Sequence, residues 1–132
     1  MNQVYVYSHK YKRETLVEDV TYFCIKELLP RFSTLDITIE LSSDMRSDQF
    51  GAVVALDRRE FEMELSDKLS DDDLISTICH EMVHVKQYVR NEIPLVGGVN
   101  YRTYKEYQNQ PHEIEAFALE KILAKKFKIN AK

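Results

Sequence analysis

The sequence predicts a single α+β domain spanning residues 1–132, and three observations carry that prediction. Two segments of the first half alternate apolar and polar residues with period two. Three longer segments repeat apolar residues every three or four positions. No repeat or shift of composition divides the 132 residues. Alternation gives strands with one wet face and the longer period gives helices with one buried face, and elements of both kinds hide their apolar sides by packing on one another.

Val4 to Tyr7 reads as a short first strand. Residues 14–29 set Leu16, Val17, Val20, Phe23, Cys24 and Leu28 on one helical face, and Pro30 ends that helix. Leu35 to Leu41 alternates as a strand, 42–49 is a polar loop, and Gly51 to Asp57 is a more continuous apolar run. Glu60 to Leu65 alternates again, so Arg58-Arg59 joins the last two strands as a hairpin. Ser70 is a capping residue, and Asp71, Asp72 and Asp73 sit where the helix dipole favours negative charge, which starts a helix running to about Asn91. Pro94 interrupts. Residues 95–110, with Gly97-Gly98 and then Tyr101, Tyr104 and Tyr107, read as a long irregular segment of the kind that often serves function. Pro111 suits the first turn of a last helix carrying Ile114, Phe117, Ala118, Ile122, Leu123 and Phe127. The expected architecture is a small twisted sheet of three or four strands. The 14–29 and 70–91 helices lie on one side, and the last helix closes in from the other.

With 18 Lys+Arg against 22 Asp+Glu and no basic block, the chain lacks the concentrated cationic footprint of a nucleic-acid binder. The lysines from Lys121 to Lys132 complement the dipole of the last helix. Cys24 and Cys79 form no C-x-x-C pair and read as small buried residues of a reducing compartment. The start lacks the apolar run of a signal peptide and no stretch is long enough to span a bilayer, so a cytoplasmic protein without a membrane partner is expected.

His80-Glu81-Met82-Val83-His84 is H-E-x-x-H inside a predicted helix. Residues four apart on a helix project from the same side, so both imidazoles can reach one ion. Glu81, about 100° round, can touch a water on that ion. On a helical wheel Leu74, Ile75, Ile78, Met82, Val85 and Val89 fall opposite His80. The histidine side holds Thr77, Gln87, Tyr88 and Asn91, a polar face fit to line a cleft. A catalytic zinc needs a third protein ligand, and His112, Glu113 and Glu115 cluster at the start of the last helix. Ala116, three residues after Glu113, would let the two helix backbones approach closely. An acidic helix start also explains Glu113 and Glu115 without any metal.

The H-E-x-x-H segment followed by Glu113-x-x-Ala116-x-x-Leu119 resembles the gluzincin metallopeptidases. Within them it is most similar to the minimal members, the ImmA/IrrE and SprT-like small zincins, several of them encoded by phages and mobile elements. The resemblance implies a minimal zincin-like domain and a Zn2+ cofactor held by His80, His84 and Glu113. It implies Glu81 as the catalytic general base, a peptide or protein substrate, and the host cytoplasm as location for a phage-encoded chain. SprT-like members use a third His, which makes His112 the rival ligand. The strand at 60–65 fits the zincin edge strand that binds extended substrate. The alternatives are a non-proteolytic zincin fold whose zinc is structural or regulatory in a protein complex, and a metal-dependent hydrolase of another substrate such as nucleic acid. An intact Glu81 favours the peptidase, and the acidic balance disfavours nucleic acid. Tyr101, Tyr104, Tyr107 and His112 are candidates to stabilise the oxyanion.

Overall fold

The computed structural model describes residues 1–8, 13–45, 50–95 and 109–131. Among them the elements run β1 (Gln3–Ser8), α1 (Glu14–Leu28), β2 (Asp36–Ser42), β3 (Gly51–Ala55), β4 (Glu60–Ser66), α2 (Asp71–Val89) and α3 (Pro111–Asn130). The four strands form one mixed sheet in the order β1-β2-β4-β3, with β1, β2 and β4 parallel and β3 antiparallel to β4. The α+β class and the four strands agree with the sequence reading.

Alternation sets the layers. Ile37, Ile39 and Leu41 of β2 stand in register with Phe61, Met63 and Leu65 of β4, and all are buried. Their sequence neighbours, Thr38 beside Glu62 and Glu40 beside Glu64, occupy the opposite face. The inner face is covered by Val17, Val20 and Cys24 of α1 and by Leu74, Ile78, Met82 and Val85 of α2, all buried. Each large side chain hidden this way contributes about 1.5–3 kcal/mol. The third helix packs on α2 and on α1 and does not reach the sheet among the described residues, so it closes the far side of α2. Lys126 with Glu27 (2.9 Å) and Lys128 with Asp72 (3.1 Å) tie α3 to α1 and α2, a use of these lysines beyond the dipole.

One expectation is corrected here. The 60–65 strand is not an edge: β4 lies between β2 and β3, and β3 is the edge strand beside α2. The fully alternating β4 matches the inner apolar row of β2 residue for residue, whereas β3, less buried, is left as its outer hairpin partner.

Two arginines and two caps fix the ends of α2. Ser70 accepts from the Asp73 amide at 3.1 Å, and Arg13 donates to the Asp67 and Leu69 carbonyls at 2.6 Å each. At the other end the helix stops two residues short of the expected Asn91. That residue adopts φ 59°, its amide reaches Tyr88 O (3.1 Å) and the Glu92 amide reaches Gln87 O (2.7 Å), a Schellman closure. Arg58 donates to the Tyr88 and Ile93 carbonyls. Cys24 and Cys79 meet in the core with their sulfurs 3.8 Å apart, both buried as expected.

β3 approaches α2 closely at Gly51, where a Cβ would stand 2.7 Å from Thr77 Cγ2 and 3.1 Å from Leu65 Cδ2. Gly51→Ala is therefore expected to push the edge strand off the helix and lower stability by about 1–3 kcal/mol, read as a reduced urea midpoint. An unchanged midpoint would mean that Thr77 yields freely.

Candidate metal centre

Both histidines of H-E-x-x-H lie on the α2 face turned toward α3, off the sheet-packed stripe, and that polar face is buried. His80 is 8 % exposed and His84 7 %. The cover is α3, whose Glu113 and Ala116 are also buried. Ala116 carries only a methyl toward α2, which lets the backbones close over the histidines.

Nε2 of His80 lies 3.0 Å from Glu113 Oε1 and Nε2 of His84 lies 3.2 Å from the same oxygen. His80, His84 and Glu113 are the one group of three or more among the described residues whose ligand atoms gather within 4.8 Å and could hold a metal ion. Ligand atoms on a tetrahedral zinc with bonds of about 2.0–2.1 Å stand about 3.3 Å apart, so both histidine–Glu113 separations are within a few tenths of an ångström of those in a zinc site.

The rivals for the third position go elsewhere. Glu115 turns to Lys86 (3.1 Å) and Gln87 (2.8 Å), and these bonds hold its carboxyl below the ordinary range despite burial, which acts the other way. His112 lies beside the site, its ring 5.8 Å from that of His84 and its Nε2 3.8 Å from Glu113 Oε2, but it does not join the convergent group. Tyr101, Tyr104, Tyr107 and the Gly97-Gly98 stretch lie outside the described residues.

Residues not assigned a role from the sequence hold the histidines in place. Nδ1 of His80 is 2.9 Å from Glu120 Oε1, and Nδ1 of His84 is 2.7 Å from Gln87 Oε1. Gln87 donates through Nε2 to His112 O (2.9 Å) and to Glu115, which leaves its oxygen to accept from His84. Both imidazoles therefore hold a proton on Nδ1 and aim Nε2 at Glu113, so loss of the Nε2 proton alone leaves the tautomer a metal ligand needs. Phe117 lies against the His80 ring at 4.6 Å. The signal was spacing: Glu120 follows Glu113 by seven residues and Gln87 follows His84 by three, each on the same helix face. Glu120→Gln and Gln87→Ala are expected to weaken zinc binding about 10–100-fold each without loss of fold, measured by competition with a coloured chelator. Unchanged affinity in both would show the Nδ1 contacts to be idle.

Charge on these groups follows from the crowding. Burial works against protonated His80, but hydrogen bonds to Glu113 and Glu120 outweigh it and raise the imidazole to about 9. His84 is also raised, burial again being overcome, here by Glu113 and Glu81. Burial lifts the Glu81 carboxyl above its ordinary range, with His84 and His80 partly offsetting it. Among the described residues no helix is long and apolar enough to cross a membrane. No family model, no curated protein and no solved structure matches this chain.

Proposed function

We propose that this protein is a zinc-dependent metallopeptidase, with His80, His84 and Glu113 as the metal's protein ligands and Glu81 as general base. The observation that carries the reading is the convergence of both Nε2 atoms on one Glu113 oxygen while both Nδ1 atoms are engaged by Glu120 and Gln87. Zinc bound there would polarise a scissile carbonyl and acidify a water to near neutrality. Glu81 takes the proton of the attacking water and returns it to the leaving amine. Burial raises its carboxyl above the ordinary range, which makes it a better proton acceptor than a free carboxylate. Three protein ligands leave a fourth position for water, whereas a structural zinc site is closed by four. A structural site also has no need of a carboxylate between its histidines, so hydrolysis is favoured over a structural or regulatory zinc.

Protein purified without chelator or histidine tag is expected to carry about one zinc per chain by elemental analysis. Glu81→Gln is expected to keep that zinc and to lose peptide hydrolysis by about 10²–10⁴-fold. Absence of zinc even after its addition, or full hydrolysis by Glu81→Gln, would sink the reading.

A further inference from the structure

We propose that Cys24 and Cys79 form a reversible disulfide and that this cross-link weakens zinc binding, so that the metal centre answers to redox conditions. This adds regulation to the site above; it rests on the proposed reading for the zinc and for peptide cleavage, whereas formation of the bond does not.

The chain holds two cysteines, 55 positions apart, and the fold brings them together. Cys24 on α1 and Cys79 on α2 stand with their sulfurs 3.8 Å apart, and both are fully buried. The hydrolytic mechanism uses neither. The oxidant is a small-molecule disulfide such as oxidised glutathione. One cysteine sulfur gives up its proton and attacks a sulfur of the reagent, whose S–S bond breaks, and the first reagent thiol leaves with that proton. The second cysteine sulfur then attacks the first, the mixed disulfide breaks, and the second reagent thiol leaves with the second proton. The cysteine pair loses two electrons and the reagent gains them. Since neither sulfur is exposed, exchange goes through openings of α1 from α2.

Closing the bond moves the helices. The sulfurs must come from 3.8 Å to about 2.0 Å, a change of about 1.8 Å. Val17, Val20, Ile78 and Met82 are buried in the same core, and a close-packed interior passes such a movement on to the backbone. The ends of α2 are fixed, by the Ser70 cap and Arg13 at the first and by Arg58 at the last, so its middle yields. Cys79 lies there, directly bonded to His80. The two side chains leave the helix about 100° apart, Cys79 toward α1 and His80 toward α3. A pull on Cys79 therefore swings His80 sideways from Glu113, whose Oε1 lies 3.0 Å from Nε2. Metal–ligand distances tolerate only about 0.2 Å, so a fraction of the closing movement is enough to weaken the site.

The test uses the full metal-free chain, equilibrated in reduced or in oxidised glutathione and then freed of it. In the oxidised sample the mass should fall by two hydrogens, and a non-reducing peptide map should join the segments holding Cys24 and Cys79. Competition with a coloured chelator should show zinc affinity lower by about 10–100-fold than in the reduced sample, and treatment with dithiothreitol should restore it. The cross-linked chain should melt at or above the temperature of the reduced one, because a closed 55-residue loop restricts the unfolded chain, whereas damage would lower it. Cys24→Ala, or Cys24→Ser if the first does not melt cooperatively, should bind zinc equally after either treatment. No joined segments, a bond between two chains in its place, unchanged affinity in the cross-linked chain, a lower melting temperature, or the same loss in the Cys24 variant would overturn the proposal. Zinc affinity that follows the bond while peptides stay intact in both states would overturn the peptidase reading and leave the switch standing. Equal cleavage in both states would do the reverse.

Discussion

Glu113→Ala protein is expected to come through purification without zinc, and titration should show affinity reduced by about 10²–10³-fold or more. Apparent zinc binding free energies of about 10–16 kcal/mol spread over four ligands give about 2.5–4 kcal/mol to each, which is close to that range of affinity. Glu113 is also the group on which both histidines converge, and it is 3 % exposed. Among the described residues the neighbouring carboxylates are otherwise engaged: Glu115 by Lys86 and Gln87, and Glu120 by the opposite nitrogen of His80. His112→Ala and Glu115→Ala should keep the metal at close to wild-type affinity. If His112→Ala lost zinc while Glu113→Ala kept it, the third ligand would be the histidine. A melting curve must accompany each variant, since an empty buried site next to two histidines lowers stability by itself. Loss of zinc from a variant that melts cooperatively is the decisive result.

How much of this could be read in advance depended on whether a feature is local. The period-two segments and the Ser70 cap with its three aspartates are local, and their elements lie within a residue or two of where pattern put them. The histidine pair at i and i+4 is local too. The strand order is not: β4 belongs inside the sheet because its buried row matches β2, a pairing between segments more than twenty residues apart, and alternation in either strand says nothing about which neighbour it takes. The same reason explains why a wheel does not reveal the burial of the histidine face. A wheel reports one helix, and the polar side of α2 becomes buried only when α3 brings a second polar face to meet it, with Glu113 and Glu120 turned toward His80. That also accounts for the two apolar sides of α3: Leu123 and Ala124 are buried while Ile114, Ile122 and Ile129 remain exposed, so its periodicity gives no clear direction for packing. Gln87 and Glu120 were visible as polar residues on the right faces, but their role depends on a rotamer and on a partner helix.

Zinc affinity is expected to rise with pH up to about pH 9, by about a tenfold per unit for each proton displaced. The metal-free site explains the direction. His80 is raised from 6.5 to about 9 because Glu113 and Glu120 accept from both its nitrogens, more than offsetting burial. A raised imidazole contributes stability that is fully present below the unfolded value of 6.5 and is lost as pH rises through the folded value of about 9. His84, also raised, acts with the same sign. Glu81, whose carboxyl burial raises above its ordinary value, acts with the same sign, its contribution being lost as pH climbs from that ordinary value through the raised one. Zinc must take the place of the Nε2 protons, so its binding releases protons near neutrality and strengthens as those protons leave on their own. Thermal melts from pH 6.5 to 9 should show the metal-free chain losing stability with rising pH. The zinc-loaded chain should change less, so the gap between the two widens. Calorimetric titration in buffers of different ionisation enthalpy should show between one and two protons released per zinc at pH 7 and fewer at pH 9. In Glu120→Gln, where one of the two acceptors of His80 is neutral, the release should shift to lower pH. An affinity flat from pH 6.5 to 9, with no buffer dependence, would mean that the Nε2 atoms carry no proton before the metal arrives and that Glu113 does not hold the histidines as the geometry indicates.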